Sequence, residues 1–507
     1  MGSRFYIEII EKVIKNILNF SDRNAFFIDG KYYSYKEFGI CISKIRYAIN
    51  ERNVLNDRVG LVVNDDLETY SSIFALWLEG KCYVPLHPGQ PLERCNGIVE
   101  QVKMDLILDS SEKSCYSKSM VISTSMLTHE GNQIICKESI SDDKLAYILF
   151  TSGSTGKPKG VTISRRNLGA FMDSFWKTGI VITEEDRCLQ CFDLTFDVSV
   201  QSYLVALTRG ACVYTVPSGN IKYISAATLL EEHKITFGAM APSMLRYLKP
   251  YFDELDATSL KACILTAEAC PLKLMEEWFS CALNTDIYDF YGPTEATIYC
   301  TYYKLSKEGN NKSLNGIISI GKPLVNVTAI ILDENGMEVT DGEKGELCVA
   351  GDQITQGYWE NTQKNKEAFF EKIINGQSIR FYHTGDLCFR DNEGDIMYSG
   401  RIDSQTKIQG FRVELGEIEF HARNFLKGIN VVALAFENSL NFTEIALFVE
   451  SVTIDTEKLF VYLRSKMPSY MIPVKVIFEP VFPLNSNDKI DKNELRKLLM
   501  KSLYENK

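Results

Sequence analysis

Short apolar strand patterns alternate with helical patterns over most of the first 300 residues, and this alternation constrains the fold most. Runs such as "RVGLVVN" and "LILD" lie between about 38 and 110, and further strands are predicted near 145–151, 211–215, 235–240, 260–266 and 286–290. Strands that are separated by helices favour a mostly parallel sheet with helices on its faces. One exception is "AFFIDGKYYSY", which predicts a hairpin with Asp29-Gly30 as its turn. We therefore predict an α/β fold.

The pattern changes after about residue 300. Gly-rich short β runs such as "GELCVAG" and "DIMYSG" predict a small antiparallel unit that completes a large N-terminal domain. The stretch "SGRIDSQTKIQG" (399–410) is polar and indicates a junction. After it come signals for strand, helix, strand, strand, helix and strand up to 480, then a helix near 491–503. We predict a small α+β C-terminal domain, with domains at 1–402 and 403–507.

Composition excludes several classes of protein. The chain has 507 residues and a net charge of −11, without a long basic run, which argues against a nucleic-acid partner. The chain has no 18-residue apolar run and no signal-peptide pattern, so we expect no membrane insertion and a cytoplasmic location. The 14 cysteines follow no framework spacing, and Cys188-x-x-Cys191 lacks the second ligand pair of a zinc site.

The stretch "LFTSGSTGKPKGV" (149–161) predicts a loop that holds phosphate. Its glycines let successive backbone N–H groups point at one anion, and its hydroxyls and lysines add donors and charge. A Walker A loop is excluded, because Thr151 stands where its first Gly belongs and Pro158 follows Lys157 where Ser or Thr is required. The remaining alternative is a flexible surface loop.

Five motifs occur in one order along nearly the whole chain. They are "TSGSTGKPKG", "FYGPTEAT" (290–297), "YHTGD" (382–386), "GRIDSQTKIQGFRVELGEIE" (400–419) and "NDKIDK" (487–492). The set resembles the adenylate-forming superfamily. More closely, it resembles the amino-acid adenylation domains of nonribosomal peptide synthetases and their free-standing relatives, such as D-alanine–carrier protein ligase. The resemblance implies an amino acid–AMP ligase that uses ATP and Mg²⁺ and then transfers the amino acid to a carrier protein.

The resemblance also implies roles in binding ATP. Tyr291 would stack on adenine, Asp386 would accept both ribose hydroxyls, and Arg401 would reach the ribose–phosphate region. Thr294 would contact the α-phosphate, and Glu295 would hold Mg²⁺. Lys489 matches the catalytic lysine, which would stabilise charge between the substrate carboxylate and the α-phosphate. Further contacts to ATP are expected from Thr151, Ser152, Gly153, Ser154, Thr155, Gly156, Lys159, Ala267, Glu268, Asp289, Phe290 and Gly292.

Five positions depart from the family pattern. Asp289 replaces the usual Asn, His383 the usual Arg, and Asp488 the usual Gly. The usual Gly-Gly-Glu is here Thr266-Ala267-Glu268.

The segment "FDLTFDVSV" (192–200) indicates which acid is activated. Asp197 matches the aspartate that binds the α-ammonium group of an amino acid. Because Phe290 and Tyr299 are bulky, the pocket should admit only a tiny side chain, so we expect glycine first, then alanine of either hand. The positions that match the rest of this pocket are Val198, Gln201, Ala239, Ile264, Thr266, Phe290, Ile298 and Tyr299, with Lys489 at the carboxylate.

Two further positions belong to the second half-reaction by resemblance. Asp403 matches the hinge about which the small domain rotates, and Gly410 matches the loop that lets a phosphopantetheine thiol pass. No carrier-protein or condensation signature occurs, so we expect the carrier in a separate protein and a role in cell-envelope decoration. Two alternatives stay open: an acyl- or aryl-CoA ligase of the same fold, and a non-catalytic homologue that binds nucleotide and scaffolds a partner.

Overall fold

A computed structural model describes residues 4–129, 141–153, 156–217, 219–403, 405–484 and 490–504. The chain forms two compact units. The larger unit comprises Met1–Pro88, Val99–Leu149 and Gly160–Ile402, and the smaller unit comprises Gly89–Ile98, Phe150–Lys159 and Asp403–Lys507. The smaller unit thus includes two segments from the first 160 residues.

The largest sheet, sheet A, has nine strands. Its second to seventh strands are parallel, and antiparallel strands flank them at both edges. In spatial order the strands are Lys31–Ser34, Asn24–Ile28, Cys212–Thr215, Arg187–Gln190, Phe237–Met240, Ala262–Leu265, Asp286–Tyr291, Thr301–Lys304 and Lys322–Pro323.

Sheet B has seven strands, of which the first five in spatial order run parallel. The order is Val121–Ser123, Ile107–Asp109, Arg58–Val62, Cys82–Leu86, Leu145–Thr151, Lys159–Ser164 and Gly357–Tyr358. The phosphate loop predicted from the sequence therefore connects two neighbouring strands of this sheet.

Sheet C is the antiparallel unit expected after residue 300. Its strands are Val327–Leu332, Gly345–Gly351, Gln377–Arg390, Phe369–Ile374 and Ile396–Arg401, with a separate ribbon of Ser313–Leu314 and Ile317–Ile318. The longest strand carries register shifts on both of its sides, near residues 384–388.

Two buried helices join the parallel sheets into one core. Every residue of Asp197–Leu207 is buried, as is every residue of Leu67–Leu78 except Glu68. Tyr70 and Tyr203 meet edge to face with ring centroids 5.6 Å apart. The remaining helices of the larger unit, one of which continues from the smaller, are Glu11–Asn19, Tyr35–Glu51, Leu92–Val102, Arg165–Trp176, Lys222–Glu232, Pro242–Leu248, Leu272–Trp278 and Thr362–Ala368.

The predicted hairpin is present, and its turn has a simple cause. Asp29 and Gly30 both take positive φ values, 46° and 76°, as a two-residue turn between antiparallel strands requires. The following helix, Tyr35–Glu51, begins at a capping box formed by Ser34 and Glu37.

The smaller unit contains an α+β core after residue 403. Its strands are the ribbon Gln405–Ile408 with Phe411–Glu414 and the three-stranded sheet Val431–Glu437, Thr443–Glu450 and Lys475–Glu479. Its helices are Leu415–Phe425, Thr456–Lys466 and Lys492–Tyr504. The sequence predicted a polar junction at 399–410 followed by a strand, but Gln405–Ile408 is itself a strand, and a tight turn at Gln409 and Gly410, with φ values of 50° and 84°, pairs it with Phe411–Glu414.

The predicted fold class is confirmed. The larger unit is built on helix-covered, mostly parallel sheets with an antiparallel addition, and the smaller one is α+β. Among the described residues, no helix combines the length and the apolar character needed to cross a membrane.

Candidate active site

Asp197 is a buried carboxylate at the start of the helix Asp197–Leu207, with only 4% of its surface exposed. Burial raises the pKa of its carboxyl to about 7; a hydrogen bond from the Thr294 side chain opposes that rise, and the charge of Glu295 adds to it. Its Oδ2 atom has no hydrogen-bond partner among the residues that the structure describes. Because such an oxygen is costly to bury, the site favours a cationic ligand.

Two of the positions that match the substrate pocket, Phe290 and Tyr299, are large buried aromatic rings that pack on each other. The ring centroids of Phe290 and Tyr299 are 5.0 Å apart. The Tyr299 hydroxyl donates to Oε1 of Gln201 at 3.3 Å and also hydrogen-bonds with Thr266. Burial first, and then the charge of Asp197, raise the pKa of Tyr299, which places the two residues close together.

The other positions that match the substrate pocket are buried in the same part of the larger unit. Ala239 and Ile264 are direct neighbours on two parallel strands of sheet A. Val198 follows Asp197 in the helix, and Ile298 lies in the turn before Tyr299; both are almost fully buried. All four are buried in the same hydrophobic core, and their assignment to the substrate pocket stays a prediction.

The turn at 292–300 holds a strained backbone. Thr297 and Ile298 take left-handed φ values of 56° and 74°, which are unusual for β-branched residues. The Nε2 atom of Gln353 donates to the Ala296 carbonyl at 2.8 Å, which helps to fix the turn. Backbone strain of this kind persists where surrounding contacts enforce it, and it is common at functional sites.

Thr294 and Glu295 lie in one short helical turn and are both buried. The Tyr358 hydroxyl donates to Oε1 of Glu295 at 2.7 Å and orients this carboxylate. A Cβ atom on Gly292 would meet the Ile298 carbonyl oxygen at 2.5 Å, so only glycine fits there. A buried, oriented carboxylate is a ligand that suits a hard cation such as Mg²⁺.

Asp386 lies in a buried hydrogen-bond network. The Tyr291 hydroxyl donates to its Oδ2 atom, and Nη1 of Arg401 donates to its Oδ1 atom at 2.8 Å. Arg401 also donates to the Thr384 carbonyl at 3.2 Å. Three residues that the resemblance assigns to the nucleoside are thus in direct contact.

The segment Thr266-Ala267-Glu268, which replaces the usual Gly-Gly-Glu, keeps a backbone conformation that favours glycine. Ala267 has a φ of 70°, in the left-handed region. Next to it, Oε2 of Glu268 accepts a hydrogen bond from the Ser243 backbone N–H at 2.8 Å. Asp289 is buried on the adjacent strand, with 4% of its surface exposed.

The described part of the phosphate loop belongs to the smaller unit and already binds a carboxylate. The Gly153 N–H donates to Oε2 of Glu417 at 3.0 Å, and Glu417 also pairs with Arg94 at 2.6 Å. Nζ of Lys159 lies 3.2 Å from Oε1 of Glu414. A Cβ atom on Gly153 would overlap the backbone of the loop, so glycine is required at this position.

Gly156, on the far side of the loop, has a positive φ of 78°. The hydroxyl of Ser152 donates to the Arg412 carbonyl at 2.9 Å and accepts from the Glu414 N–H at 3.0 Å. Thr151 ends the strand before the loop.

Three of the predicted site residues, Ser154, Thr155 and Lys489, lie outside the described residues, as does Asp488. Asp403, the predicted hinge, is the first residue of the C-terminal segment of the smaller unit, and its carboxylate accepts from the Gln405 N–H at 3.0 Å.

Several supporting residues were not recognised in the sequence. The Tyr147 hydroxyl is buried without a partner among the described residues, and Asp197 adds to burial in raising its pKa. Tyr147 lies within an apolar run, so only its buried hydroxyl could have been a signal. Tyr358 and Gln353 are distant in sequence from the residues they hold and belong to no quoted motif.

A partly buried aspartate in the same segment, Asp193, has a pKa that is shifted in the opposite direction. Burial alone would raise the pKa of Asp193, but the hydrogen bond and charge of His87 lower it to about 2. The His87 Nε2 atom lies 2.8 Å from the Asp193 carboxylate. The pair lines a cavity of about 380 Å³.

Comparison with known proteins defines the class. The family model "AMP-binding enzyme" matches residues 15–359. The chain belongs to this family, the adenylate-forming superfamily, and is of the type found as adenylation domains in nonribosomal peptide synthetases. The suspected resemblance is therefore confirmed.

Among its relatives, zwittermicin A synthase ZmaJ of Bacillus cereus is 30% identical over 504 residues, covering 96% of this chain and 94% of the relative. Tyrocidine synthase 1 of Brevibacillus parabrevis is 29% identical over 487 residues, covering 94% of this chain; the match spans only 44% of that relative. The structure of the Vibrio cholerae adenylation domain AlmE in complex with glycyl-adenosine-5′-phosphate has a TM-score of 0.85 at 24% identity, covering 99% of this chain and 98% of that one. The last similarity shows a shared fold.

Because the pKa of Asp197 is raised, we predict that its carboxyl lowers the stability of the folded protein in a pH-dependent way. Its folded pKa, about 7, lies above the unfolded value of 3.8, so the folded state holds the proton longer and stability falls as pH rises from about 4 to about 7. Asp197→Asn should therefore increase the free energy of unfolding of the free protein by roughly 2–4 kcal/mol at pH 8, and by less than half of that at pH 5. Urea unfolding at both pH values measures this.

Asp193→Asn is the matched control. Because the pKa of Asp193 is lowered, its contribution to stability is present above the unfolded pKa, and this substitution should destabilise the protein at both pH 5 and pH 8. If both substitutions had the same sign at pH 8, the environment assigned to Asp197 would be wrong.

Proposed function

We propose that this protein activates a small amino acid with ATP, forming an aminoacyl-AMP and releasing pyrophosphate, and then passes the aminoacyl group to the phosphopantetheine thiol of a separate carrier protein. We assign the binding of ATP and amino acid to residues 1–402. The mobile part that carries the catalytic lysine is assigned to residues 403–507. The first choice of substrate is glycine, followed by D- or L-alanine.

The proposal rests on the Oδ2 atom of Asp197, which has no hydrogen-bond partner in the described part of the chain. An α-ammonium group brings three N–H donors and one positive charge, which supply both the missing hydrogen bond and the missing counter-charge. Fatty and aryl acids lack this group and would leave the carboxylate buried and unpaired. The site should therefore reject them, because an unsatisfied buried polar group costs more than a lost contact.

The preference for a tiny side chain rests on Phe290 and Tyr299. Both rings are almost fully buried, and Tyr299 is held by Gln201. The rings occupy space that a larger amino acid side chain would need. AlmE, which shares the fold, has been seen with glycyl-adenosine-5′-phosphate, which agrees with this preference.

For the nucleotide, we assign adenine stacking to Tyr291 and ribose binding to Asp386, supported by Arg401. Each Asp386 oxygen accepts one hydrogen bond from the protein and keeps a second acceptor site, as two ribose hydroxyls require. The phosphate loop 151–160 is assigned to the departing phosphates. The Gly153 N–H already donates a hydrogen bond to a carboxylate, which supports its proposed use as a hydrogen-bond donor to a phosphate anion.

The reaction requires a carboxylate oxygen to approach the α-phosphorus in line with the departing pyrophosphate. Asp197 would fix the amine end of the substrate, and Thr294 would orient the α-phosphate. Positioning of this kind supplies much of the rate of phosphoryl-group chemistry. Glu295 would hold Mg²⁺, which neutralises phosphate charge. Lys489 would stabilise the negative charge that develops between the two reactants.

The carrier step is assigned to the smaller unit. Asp403 would act as the hinge, and the Gln409-Gly410 turn would face the site after rotation. Gly410 carries no side chain and takes a φ of 84°, so its backbone can lie close to a passing thiol chain.

Amino-acid-dependent exchange of labelled pyrophosphate into ATP tests the proposal. We expect glycine to support the fastest exchange among the twenty amino acids plus D-alanine. Asp197→Asn should raise the KM for glycine at least tenfold more than the KM for ATP, because it removes the charge that pairs with the ammonium group.

Asp193→Asn, in the same segment, should leave the KM for glycine within about threefold of the wild-type value. Exchange with fatty or aryl acids alone would instead identify a CoA ligase, and no exchange with any acid would identify a non-catalytic homologue. Equal effects of Asp197→Asn on both KM values would contradict the assigned pocket.

Enlarging the pocket should change the preferred side chain. Tyr299→Ala removes a ring from the proposed pocket, so kcat/KM for valine relative to glycine should rise at least tenfold. Tyr299→Phe keeps the ring and should keep the preference for glycine. An unchanged ratio in Tyr299→Ala would show that this ring does not limit substrate size.

Lys489→Ala should lower the rate of exchange at least a hundredfold, while the Kd for ATP changes by less than about threefold, because the lysine is assigned to charge that develops during reaction. Lys492→Ala, three residues further on, is the control and should retain exchange. Loss of ATP binding in Lys489→Ala would contradict the assigned role.

A further inference from the structure

Three metal-ligand side chains that no step of the proposed function uses lie together on sheet C. Glu346 and Cys348 are two residues apart on the strand Gly345–Gly351, so they share one face of the sheet. His383 lies directly opposite Cys348 on the neighbouring strand. One ligand atom from each residue lies within 4.8 Å of the other two.

The distances are close to those of a tetrahedral zinc site. Zinc bonds of about 2.3 Å to sulfur and 2.0–2.1 Å to nitrogen, at a tetrahedral angle, place sulfur and nitrogen about 3.6 Å apart. The Sγ atom of Cys348 is 3.6 Å from Nδ1 of His383. Nδ1 is also 2.7 Å from Oε2 of Glu346, so this pair must open by roughly 0.6 Å around an ion.

The surroundings hold the donors in place and leave an approach to them. The second oxygen of Glu346, Oε1, accepts from the Gly385 N–H at 2.9 Å, as the outer contacts of metal ligands commonly do. The His383 ring packs on Phe370 with centroids 4.4 Å apart. Cys348 is fully buried, whereas the His383 side chain is 35% exposed, which provides a route for an ion from solvent.

The local register explains how the ligands come together. Between Glu346 and Cys348 the pairing with the long strand is shifted, and residues 384–386 bulge out of register. The bulge brings His383 opposite Cys348 while the Gly385 N–H still reaches Glu346. Bulges often re-aim side chains in this manner.

We propose that Glu346, Cys348 and His383 form a binding site for one Zn²⁺ ion, with solvent as the fourth ligand. One thiolate, one imidazole and one carboxylate are a donor set that suits zinc, whereas Mg²⁺ and Ca²⁺ require oxygen ligands. On binding, sulfur forms a bond to zinc and the thiol proton passes to solvent. The ion would link two strands of sheet C beside the bulge that leads to Asp386.

Cobalt(II) is a spectroscopic probe for such a site. Titration of the chelator-treated full chain with Co²⁺ should produce a thiolate-to-cobalt absorption band that saturates at one ion per chain, and Zn²⁺ should abolish it. Cys348→Ser should remove the band. His383→Gln and Glu346→Gln should keep the fold and weaken Co²⁺ binding at least tenfold.

Matched controls separate this site from adventitious binding. Cys115→Ser alters an exposed cysteine and His129→Gln another histidine, and both should bind Co²⁺ as the wild type does. Zn²⁺ should raise the Tm of the wild type and of both controls, but not that of Cys348→Ser. Absence of the band, its survival in Cys348→Ser, unchanged affinity in His383→Gln, or its loss in Cys115→Ser would overturn the proposal. None of these measurements depends on adenylation.

Discussion

The proposed chemistry of the larger unit depends on a single buried carboxylate. Asp197 is the first residue of a fully buried helix, and one of its oxygens lacks a hydrogen-bond partner among the described residues. The fold imposes this cost by burying the carboxyl, which raises its pKa, and the charge of the neighbouring Glu295 adds to the rise. A cationic ligand would relieve it. The electrostatic penalty of the free protein and the selectivity proposed for its substrate therefore have the same origin.

Much of the fold could be predicted from the sequence because periodicity reports burial directly. The alternating patterns identified the parallel sheets, and Asp29-Gly30 identified the hairpin, since few residues accept its φ values. The strand Gln405–Ile408 was not predicted, because its polar residues resemble a junction and its pairing with Phe411–Glu414 is not visible in the local pattern. Strand order within the sheets could not be predicted, because it depends on contacts between segments that are distant in sequence.

Part of the candidate site could likewise be predicted from the sequence, and part could not. Asp197, Glu295 and Asp386 stand in recognisable motifs, and the structure assembles their neighbours around them. Tyr358 and Gln353 could not be identified, because their roles come from the partners they reach and not from a local pattern. The left-handed backbone at Ile298 was equally hidden, since a β-branched residue gives no signal for it. No role could be assigned to His383 from the sequence, because its neighbour Cys348 lies on another strand and is distant in sequence.

The contact between Gly153 and Glu417 affects how the phosphate loop can discriminate among anions. The Gly153 amide already donates to the Glu417 carboxylate. An incoming anion would therefore replace an existing hydrogen bond and would not add a new one. The net free energy of binding would then depend on how many negative charges the ligand carries. If the loop binds nucleotide as proposed, a triphosphate would outcompete one resident carboxylate, whereas a monophosphate would gain little by the exchange. The acid at 417 would act as an internal competitor that sets a threshold of charge for occupancy of the loop.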